Sequence, residues 1–330
     1  MDFRNPTDKM ARSMADVTEE LYRRVYLIRR AEEAIIERYM GDEMKTPVHL
    51  SIGQEAISAG ICYSLSPEDQ IVGSYRSHGI YLSRTLETDR FFAEIYGRSA
   101  GIAKGKAGSM HLSSKEHGYL GSSAVVGTYI PVGVGAALAN RIRGRANWVA
   151  VFLGDGAVDE GVFYESLNIA CLKRLKVIFV CEDNGLAIHS HARDRHAYGA
   201  ITDIARQYPC EVFASESTVA EEIYALVGRA RTVAEESKRP IFLHLKCYRY
   251  LEHVGISPDF KFGYRPEAEF ARWKAVDPVL MQRKLLERRK PEAEIARLER
   301  AIDAQIVQSI DRAEKSPFPT PEEVFTDVFA

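Results

Sequence analysis

Two strongly apolar runs, each followed by a short polar cluster, constrain the fold of this chain more than any other feature. Trp148–Leu153 (WVAVFL) and Val177–Cys181 (VIFVC) have the length of strands, and neither alternates with polar residues. Such uninterrupted runs are typical of strands covered on both faces. A segment with helical character, Val162–Lys173, lies between them. Strands of this kind alternating with helices predict an α/β fold, a doubly wound parallel sheet flanked by helices.

The remaining elements follow from the same periodicities. An amphipathic helix is predicted over Thr18–Met40, with Thr18 placed to cap it and Gly41 placed to end it. We expect two domains, an α/β domain over residues 1–265 and a helical extension over residues 266–330 that packs on the core or on a partner. Further helices are expected over Leu50–Leu65, Pro131–Ala139 and Ala220–Ser237, strands over Gln70–Ser74 and Pro240–Lys246, and long loops over Gly97–Ser123 and Tyr248–Arg265.

Composition argues against several classes of function. The chain is 46% hydrophobic and 27% charged, with a formal net charge of -2, so no basic field attracts nucleic acid or a membrane surface. The polar start, Met1–Asp16, lacks the apolar core of a secretory signal, which favours a cytoplasmic location. The five cysteines are scattered and never spaced C-x-x-C, so we expect buried, reduced thiols rather than disulfides or a zinc site.

The polar clusters after the two apolar strands predict a metal site. Gly154-Asp155-Gly156 follows the first strand, and Asn184 belongs to the cluster after the second. Ligands bind beyond the carboxyl ends of parallel strands, so the Asp155 carboxylate and the Asn184 amide oxygen are expected to converge. Both groups suit Mg²⁺, which usually also takes phosphate and water. Gly156 would let the backbone approach a diphosphate at the start of the following helix.

The surrounding motifs, in this order, resemble those of the alpha subunits of thiamine-diphosphate-dependent 2-oxo acid dehydrogenases, the pyruvate, branched-chain and acetoin dehydrogenases. The resemblance runs from about Leu21 to Pro258 and implies a thiamine-diphosphate-binding fold. It also implies an oxidoreductase that decarboxylates a 2-oxo acid and passes the acyl group to a lipoyl arm on an acyltransferase. Besides the two polar clusters, its landmarks are LYRRVYLIRRAEE, HLSIGQEA, SYRSHG, GKAGSMH and VVGTYIPVGVGAALA.

The resemblance assigns cofactor-binding roles to individual residues. Asp155, Asn184 and the backbone carbonyl of Leu186 correspond to the Mg²⁺ ligands. The other residues that match cofactor-binding positions are Gly156 and Ala157 along the diphosphate, Tyr75 and Arg76 in contact with the diphosphate, and Ala124 and Val126 at the aminopyrimidine ring.

Three histidines match positions on the substrate side of the cofactor: His49, His78 and His253. A side chain that titrates near neutrality can donate a proton to an anionic adduct or stabilise it, so these three are the candidate catalytic residues.

The loop that carries His253 departs from the family pattern. The family commonly has H-G-H-S there, whereas this chain has Leu251-Glu252-His253-Val254. Glu252 is either a negative charge at the substrate entrance, which Arg249 could neutralise, or a solvent-facing loop charge. The departure leaves the identity of the 2-oxo acid open, together with any regulation through a serine of this loop. A second departure is Asp183 in place of the usual asparagine before the metal ligand, and we expect Asp183 to point away from the metal.

The resemblance also implies a partner chain. In this family the carboxylate that activates the aminopyrimidine belongs to a separate beta subunit. Glu32, Glu33 and Glu55 lie on predicted helices, and none of them falls in a motif that matches the activating position. We therefore expect a heterotetramer with two copies of each chain and the cofactor bound between chains.

Three other functions are compatible with parts of the sequence. A two-subunit transketolase-like or acyloin-forming enzyme would keep the cofactor and transfer a ketol or acyl unit to a sugar or an aldehyde. An NAD-dependent dehydrogenase would use Gly133 and Gly135, although Leu138 occupies the third glycine position of that fingerprint. A non-catalytic, partner-binding subunit would have no use for Asp155 and Asn184 together.

Overall fold

The computed structural model of this chain describes residues 13–326, and six strands within that range form one parallel sheet. A short antiparallel hairpin lies apart from it. In chain order the strands are β1 (Gln70–Ser74), β2 (Tyr119–Ser123), β3 (Val149–Gly154), β4 (Val177–Asp183), β5 (Leu186–Ala187), β6 (Ser190–His191), β7 (Glu211–Ser215) and β8 (Ile241–Lys246). The six-stranded sheet has the order β2-β1-β3-β4-β8-β7, and β5 and β6 form the hairpin.

Helices cover both faces of the sheet, as the sequence predicted. Within one strand, Ala150 and Phe152 pack into one apolar cluster, and Val149 and Val151 pack into another on the opposite face. The helices are α1 (Met14–Tyr39), α2 (Glu55–Ser64), α3 (His78–Thr85), α4 (Asp89–Ile95), α5 (Tyr129–Ile142), α6 (Gly161–Leu172), α7 (Ala192–Arg195), α8 (Ile201–Ala205), α9 (Ala220–Ser237), α10 (Glu267–Lys274), α11 (Pro278–Glu287) and α12 (Glu292–Lys315). Side chains of α5, α6 and α8 enter the second cluster, and side chains of α1 to α4, α9 and α12 enter the first.

The strand order reverses between β1 and β3. From β1 the chain moves to one side and forms β2, and it then returns through α5 to the other side and forms β3. Such a switch leaves a crevice between neighbouring carboxyl ends, because the two connections run over opposite faces of the sheet. The residues after β1 and β3 therefore line a natural binding site.

Most predicted elements are confirmed, but the predicted N-cap residue of the first helix, Thr18, is wrong. The predicted segments over Leu50–Leu65 and Pro131–Ala139 correspond to α2 and α5 with shifted ends. The helix α1 begins earlier than expected, and Ser13 accepts the N–H of Asp16 as its cap. Thr18 lies inside the helix and donates its hydroxyl to the carbonyl of Met14 (2.8 Å), so it does not cap the helix.

The predicted loop over Gly97–Ser123 is only partly a loop, because its last five residues form β2. The glycine-rich part is organised by Glu94, which is 1% exposed. Its carboxylate accepts the backbone N–H groups of Ala103 (2.7 Å), Gly105 (3.1 Å), Ala107 (2.7 Å) and Gly108 (3.0 Å). One buried anion therefore fixes the course of this segment.

The helical extension after residue 265 packs on the first helix through a buried ion-pair cluster. On α1, Arg29 donates to Glu55 (2.6 Å) and to Asp277 (3.1 Å), and all three side chains are buried. Burial opposes ionisation of Asp277, but Arg29 and Lys274 hold its pKa below the usual value. The cluster joins α1, the start of α2 and the cap of α11. The division into two domains at residue 265 itself stays a prediction.

The cysteines are buried and free, as expected. No helix within residues 13–326 is long and apolar enough to cross a bilayer. The polar start of the chain, on which the cytoplasmic expectation rested, lies almost entirely outside the described residues.

Replacing Arg29 by Met is expected to lower the free energy of unfolding by about 3 kcal/mol or more, because two buried carboxylates then lose their shared cation. Urea unfolding followed by circular dichroism measures the loss. Arg312→Met is the matched control, since the partner of Arg312 is the exposed Asp89 and such surface pairs contribute roughly 0.5 kcal/mol. Equal, small losses in both variants would contradict a structural role for the cluster.

Candidate active site

A cavity of about 240 Å³ opens at the switch between β1 and β3. Its walls come from the residues that follow β1, β3 and β4, from the turn before α5, and from the β5–β6 hairpin. The walls include eight of the nine residues predicted to bind a cofactor: Tyr75, Arg76, Val126, Asp155, Gly156, Ala157, Asn184 and Leu186. The fold therefore brings together residues that lie more than 100 positions apart.

Asp155 begins a short 3-10 helix directly after β3 and is 1% exposed. Its carboxylate accepts a hydrogen bond from Arg195 of α7 (2.5 Å). Burial raises the pKa of Asp155 to about 6, the nearby Asp183 adds to the rise, and Arg195 opposes it. A buried carboxylate that is costly to ionise favours the approach of a cation.

Asn184 and Leu186 follow the end of β4 and line the cavity. The amide nitrogen of Asn184 donates to the side-chain oxygen of Gln54 (3.1 Å). The amide oxygen of Asn184 accepts the backbone N–H of Leu186 (3.2 Å) and keeps a second lone pair. As expected, Asp183 is turned elsewhere, because its carboxylate binds His244 (2.6 Å) and the N–H of Gly185 (2.9 Å).

Gly156 is required by a close approach of two backbone segments. A methyl group on its α-carbon would lie 2.8 Å from the Cβ of Ala187 in the hairpin, whereas one on Gly154 would meet nothing within 4 Å. Gly156 and Ala157 then form the floor of the cavity next to Asp155.

Arg76 places a buried cation in the cavity wall. Its guanidinium donates to the carbonyls of Leu50 (2.6 Å) and His253 (3.1 Å), and burial lowers its pKa. The ring of Tyr75 lies beside it. Arg76 thus holds the segment before α2 and the loop after β8 against the end of β1, and it remains available to an anion.

His49 and His253 flank the ring of Tyr75. The ring centroids of His49 and Tyr75 are 4.6 Å apart, and those of His49 and His253 are 5.1 Å apart. Burial, followed by the charge of Arg76, lowers the pKa of His49 to about 3 and that of His253 to about 4. Both rings are therefore neutral near pH 7, and the buried Nδ1 of His49 has no hydrogen-bond partner within the described chain.

His78 lies apart from the cavity and is fully buried. Its Nδ1 pairs with Glu32 (3.1 Å), and its Nε2 pairs with the hydroxyl of Ser109 (2.7 Å). Glu32 also accepts the backbone N–H of Ser51. The three residues resemble a serine-histidine-acid arrangement, but Ser109 has no exposed surface that a substrate could reach. This geometry suits a supporting role for His78 rather than contact with a substrate.

The aminopyrimidine positions lie at the exposed rim of the cavity. Val126 lines it and is 40% exposed, next to Val125, which is 63% exposed. Ala124 is half-buried and is the one predicted cofactor-binding residue that does not line the cavity. Apolar side chains left exposed at such a rim favour contact with another molecule.

The divergent loop is held together by its own charges. The carboxylate of Glu252 accepts the backbone N–H of Ser257 (2.9 Å), and Glu252 is not on the cavity wall. Arg249 is 1% exposed and binds both carboxylate oxygens of Asp259. Arg249 therefore neutralises Asp259, and the loop-charge interpretation of Glu252 fits the structure better than the substrate-entrance one.

Sequence reasoning missed three residues of the site. Gln54 and Glu182 are buried in the cavity wall, and Arg195 pairs with Asp155 and Asp159. Burial raises the pKa of Glu182 to about 8, against the influence of Arg76 and a hydrogen bond from Gln54. Gln54 stands in the HLSIGQEA motif, which offered a signal, whereas nothing in the sequence connects Arg195 to Asp155.

The residues present fit a divalent cation and a diphosphate. Asp155 and Asn184 supply two oxygen donors, and Leu186 of the hairpin lines the same cavity. Arg76 supplies positive charge on the cavity wall, whereas His49 and His253 do not line the cavity and lie behind Tyr75, which does.

Comparison with known proteins agrees with this geometry. The family described as "Dehydrogenase E1 component" matches residues 23–322. The chain belongs to the dehydrogenase E1 component family. Among its relatives, the pyruvate dehydrogenase E1 component subunit alpha of Zymomonas mobilis is 34% identical over 312 residues, covering 94% of this chain and 87% of the relative. The subunit alpha of Rhizobium meliloti is 31% identical, covering 93% and 88%. The chloroplastic subunit alpha-3 of Arabidopsis thaliana is 33% identical, covering 94% and 74%.

Membership of the dehydrogenase E1 component family confirms the class predicted from sequence, an alpha subunit of a thiamine-diphosphate-dependent 2-oxo acid dehydrogenase. The NAD-dependent alternative is wrong. Gly133 and Gly135 lie inside α5, not at a strand-to-helix turn, and a methyl group on Gly133 would lie 2.4 Å from Val151. Gly133 therefore serves the packing of a helix on the sheet.

Replacing Gly156 by Ala is expected to lower the free energy of unfolding by about 1–3 kcal/mol, because the new methyl group pushes the hairpin away from the cavity floor. Gly154→Ala, on the other side of Asp155, is the control and should change it by less than about 0.5 kcal/mol. Denaturant unfolding compares the two variants. Similar values would mean that the hairpin is not packed as described.

The rings of His49 and His253 are expected to stay neutral down to about pH 5 in the folded protein. Unfolded histidine has a pKa of about 6.5, so acidification below that value protonates the unfolded chain first and reduces stability. NMR of ¹³C-labelled histidine, assigned with His49→Gln and His253→Gln variants, measures both titrations. A midpoint near 6.5 for either ring would contradict the buried, cation-flanked position.

Proposed function

We propose that this chain works with a beta subunit to decarboxylate a 2-oxo acid and transfer the acyl group to a lipoyl acceptor. The observation that carries the proposal is that Asp155, Asn184 and Leu186 all line the cavity at the sheet switch. A carboxylate, an amide oxygen and a backbone carbonyl would suit a hard divalent cation that also binds phosphate oxygens. Membership of the family supports the same conclusion.

Mg²⁺ is the proposed ion, held by the carboxylate of Asp155, the amide oxygen of Asn184 and the carbonyl of Leu186. Arg76, on the cavity wall, and Arg195, which pairs with Asp155, would add positive charge near the diphosphate. An arginine beside a phosphate can donate two hydrogen bonds at once, so each cation would orient the diphosphate as well as neutralise it.

Bound thiamine diphosphate supplies the nucleophilic carbon and the electron sink that decarboxylation requires. His49 and His253 are proposed to meet the substrate. Because both rings are neutral, each offers one N–H donor and one acceptor, and the nearby Arg76 attracts the carboxylate of a 2-oxo acid. His78 is proposed to act through its neighbours, since Glu32 and Ser109 occupy both of its nitrogens.

A beta subunit is the proposed partner, in an assembly with two copies of each chain. Val125 and Val126 at the cavity rim, and Val132 and Ile142 on α5, are exposed apolar side chains that such a partner would cover. The carboxylate that activates the aminopyrimidine is proposed to come from that chain. The helical extension over residues 266–330 and a cytoplasmic location remain parts of the same proposal.

Pyruvate is the first substrate to test, because the relatives carry that name. Because the sequence around His253 differs from the family pattern, another 2-oxo acid could be the substrate. The carboxylate of Glu252 accepts the backbone N–H of Ser257 and is not on the cavity wall. Release of CO₂ from a panel of 2-oxo acids, with an artificial electron acceptor and then with a lipoyl domain, would identify the substrate and the acceptor.

Asp155→Ala, assembled with the beta subunit, is expected to weaken Mg²⁺-dependent binding of thiamine diphosphate at least about 100-fold, because a charged metal ligand is lost. Calorimetric titration measures the affinity. Asp311→Ala, an exposed carboxylate on α12, is the control and should bind as the wild type does. Unchanged binding in Asp155→Ala would overturn the proposed metal site.

A further inference from the structure

Gln54 lies beside two polar side chains at the end of β4, Glu182 within the strand and Asn184 directly after it. Its side-chain oxygen accepts the amide nitrogen of Asn184 (3.1 Å), and its presence opposes the rise that burial causes in the pKa of Glu182. All three side chains are buried in the wall of the cavity. Gln54 therefore hydrogen-bonds a proposed metal ligand from within the cavity wall.

An asparagine side chain can coordinate a hard cation through its amide oxygen only. The amide oxygen is a ligand, whereas the NH₂ group carries two protons and repels the ion. The two ends have nearly the same shape, so the packing around Asn184 does not by itself decide which end faces the cavity. A hydrogen-bond partner with a fixed preference is needed.

Two partners supply that preference. The backbone N–H of Leu186 can only donate, so it holds the amide oxygen of Asn184 (3.2 Å). At the other end of the amide, the side-chain oxygen of Gln54 accepts the NH₂ group of Asn184 (3.1 Å). The amide oxygen of Asn184 is consequently left on the side of the backbone N–H of Leu186, facing the cavity.

Gln54 itself is fixed by the backbone around it. Gly53 has a left-handed conformation (φ +96°), and a methyl group there would lie 2.2 Å from the carbonyl of Tyr248. The N–H of Gln54 donates to the carbonyl of Ser51 (2.8 Å), and Gln54 precedes the first residue of α2. The N–H of Gly53 is bound by Glu55 (2.9 Å). Gln54 therefore starts from a rigid turn.

We propose that Gln54 is a positioning residue that holds the amide of Asn184 with its oxygen toward the divalent cation. The inference rests on the proposed function, since it takes Asn184 as a metal ligand. Side chains that orient a metal ligand through its other end typically contribute about 10-fold to 100-fold to metal affinity. Loss of the Gln54 oxygen should thus weaken metal binding without contact between Gln54 and the metal.

A double-mutant cycle on the enzyme assembled with its beta subunit tests this role. Gln54→Met keeps the length of the side chain and removes the amide acceptor. Asn184→Asp gives the ligand two equivalent oxygens, so its orientation no longer matters. The measurement is Mn²⁺ affinity in the presence of thiamine diphosphate, from the electron paramagnetic resonance signal of free Mn²⁺.

Gln54→Met is expected to weaken Mn²⁺ binding about 10-fold or more in the wild-type background and less than about 3-fold in the Asn184→Asp background. Equal weakening in both backgrounds, or none in the wild-type background, would overturn the proposal. Thermal unfolding of each variant identifies any that fails to fold.

A variant that exchanges two side chains tests the positioning role independently. It can be used even if Asn184→Asp binds no Mn²⁺. Gln54→Glu combined with Glu182→Gln conserves charge and leaves a carboxyl oxygen opposite the NH₂ group of Asn184. Binding within about 3-fold of wild type is expected, whereas a loss as large as that of Gln54→Met would reject the positioning role. Absence of Mn²⁺ binding in the wild type would instead reject the metal site itself.

Discussion

Parallel pairing of β1, β3 and β4 is the constraint on which the site depends. Gln70 pairs with Val149, and Gly154 pairs with Glu182, so all three strands end at the same edge. Because connections in such a sheet are long, the residues at that edge come from segments far apart in the chain. Burial of both faces of these strands secures the register, and the register in turn sets the position of each cavity side chain.

Sequence could predict the parts of the fold in which local pattern and final environment agree. Val177–Cys181 is apolar throughout because β4 is covered on both faces, and the polar residues begin at Glu182, where the strand reaches the cavity. The Tyr119–Ser123 segment contains a glycine and two serines, so nothing local marks it as a strand. It becomes β2 through parallel pairing with β1 at the sheet edge. The other edge strand, β7, is partly exposed and lacks a long apolar run, so the sequence pattern does not predict it either.

The candidate site also contains residues that the sequence could predict and residues that it could not. Asp155 and Asn184 were predictable because a motif and a strand end coincide there. The pairing of Arg195 with Asp155 depends on how the hairpin returns toward β3, and the enclosure of His78 depends on Glu32 from α1 and Ser109 from the glycine-rich segment. Contacts between distant loops leave no periodic trace in the sequence. Motif membership therefore indicates that a residue matters, but not which neighbour it serves.

Buried charges connect the loops around the cavity. Arg265 donates to the backbone carbonyl of Asn184 (2.9 Å) and to Asp259, and its guanidinium lies 3.8 Å from the ring centroid of Tyr248. Desolvated ions of this kind are costly unless every partner stays in place. The loop after β8, the turn after β4 and the start of α10 are consequently linked, and displacement of one would leave buried charges in the others without a partner.

The carboxylate of Glu94 occupies the backbone N–H groups of the glycine-rich segment, which the composition of that segment does not indicate. Consecutive backbone N–H groups in a glycine-rich turn form a concave anion receptor, and many phosphate-binding loops are built in this way. Here the protein supplies the anion from within, and four of the N–H groups are already occupied. This segment resembles a phosphate loop, but Glu94 occupies the N–H groups that a phosphate would need. The proposed diphosphate site lies instead at the strand ends.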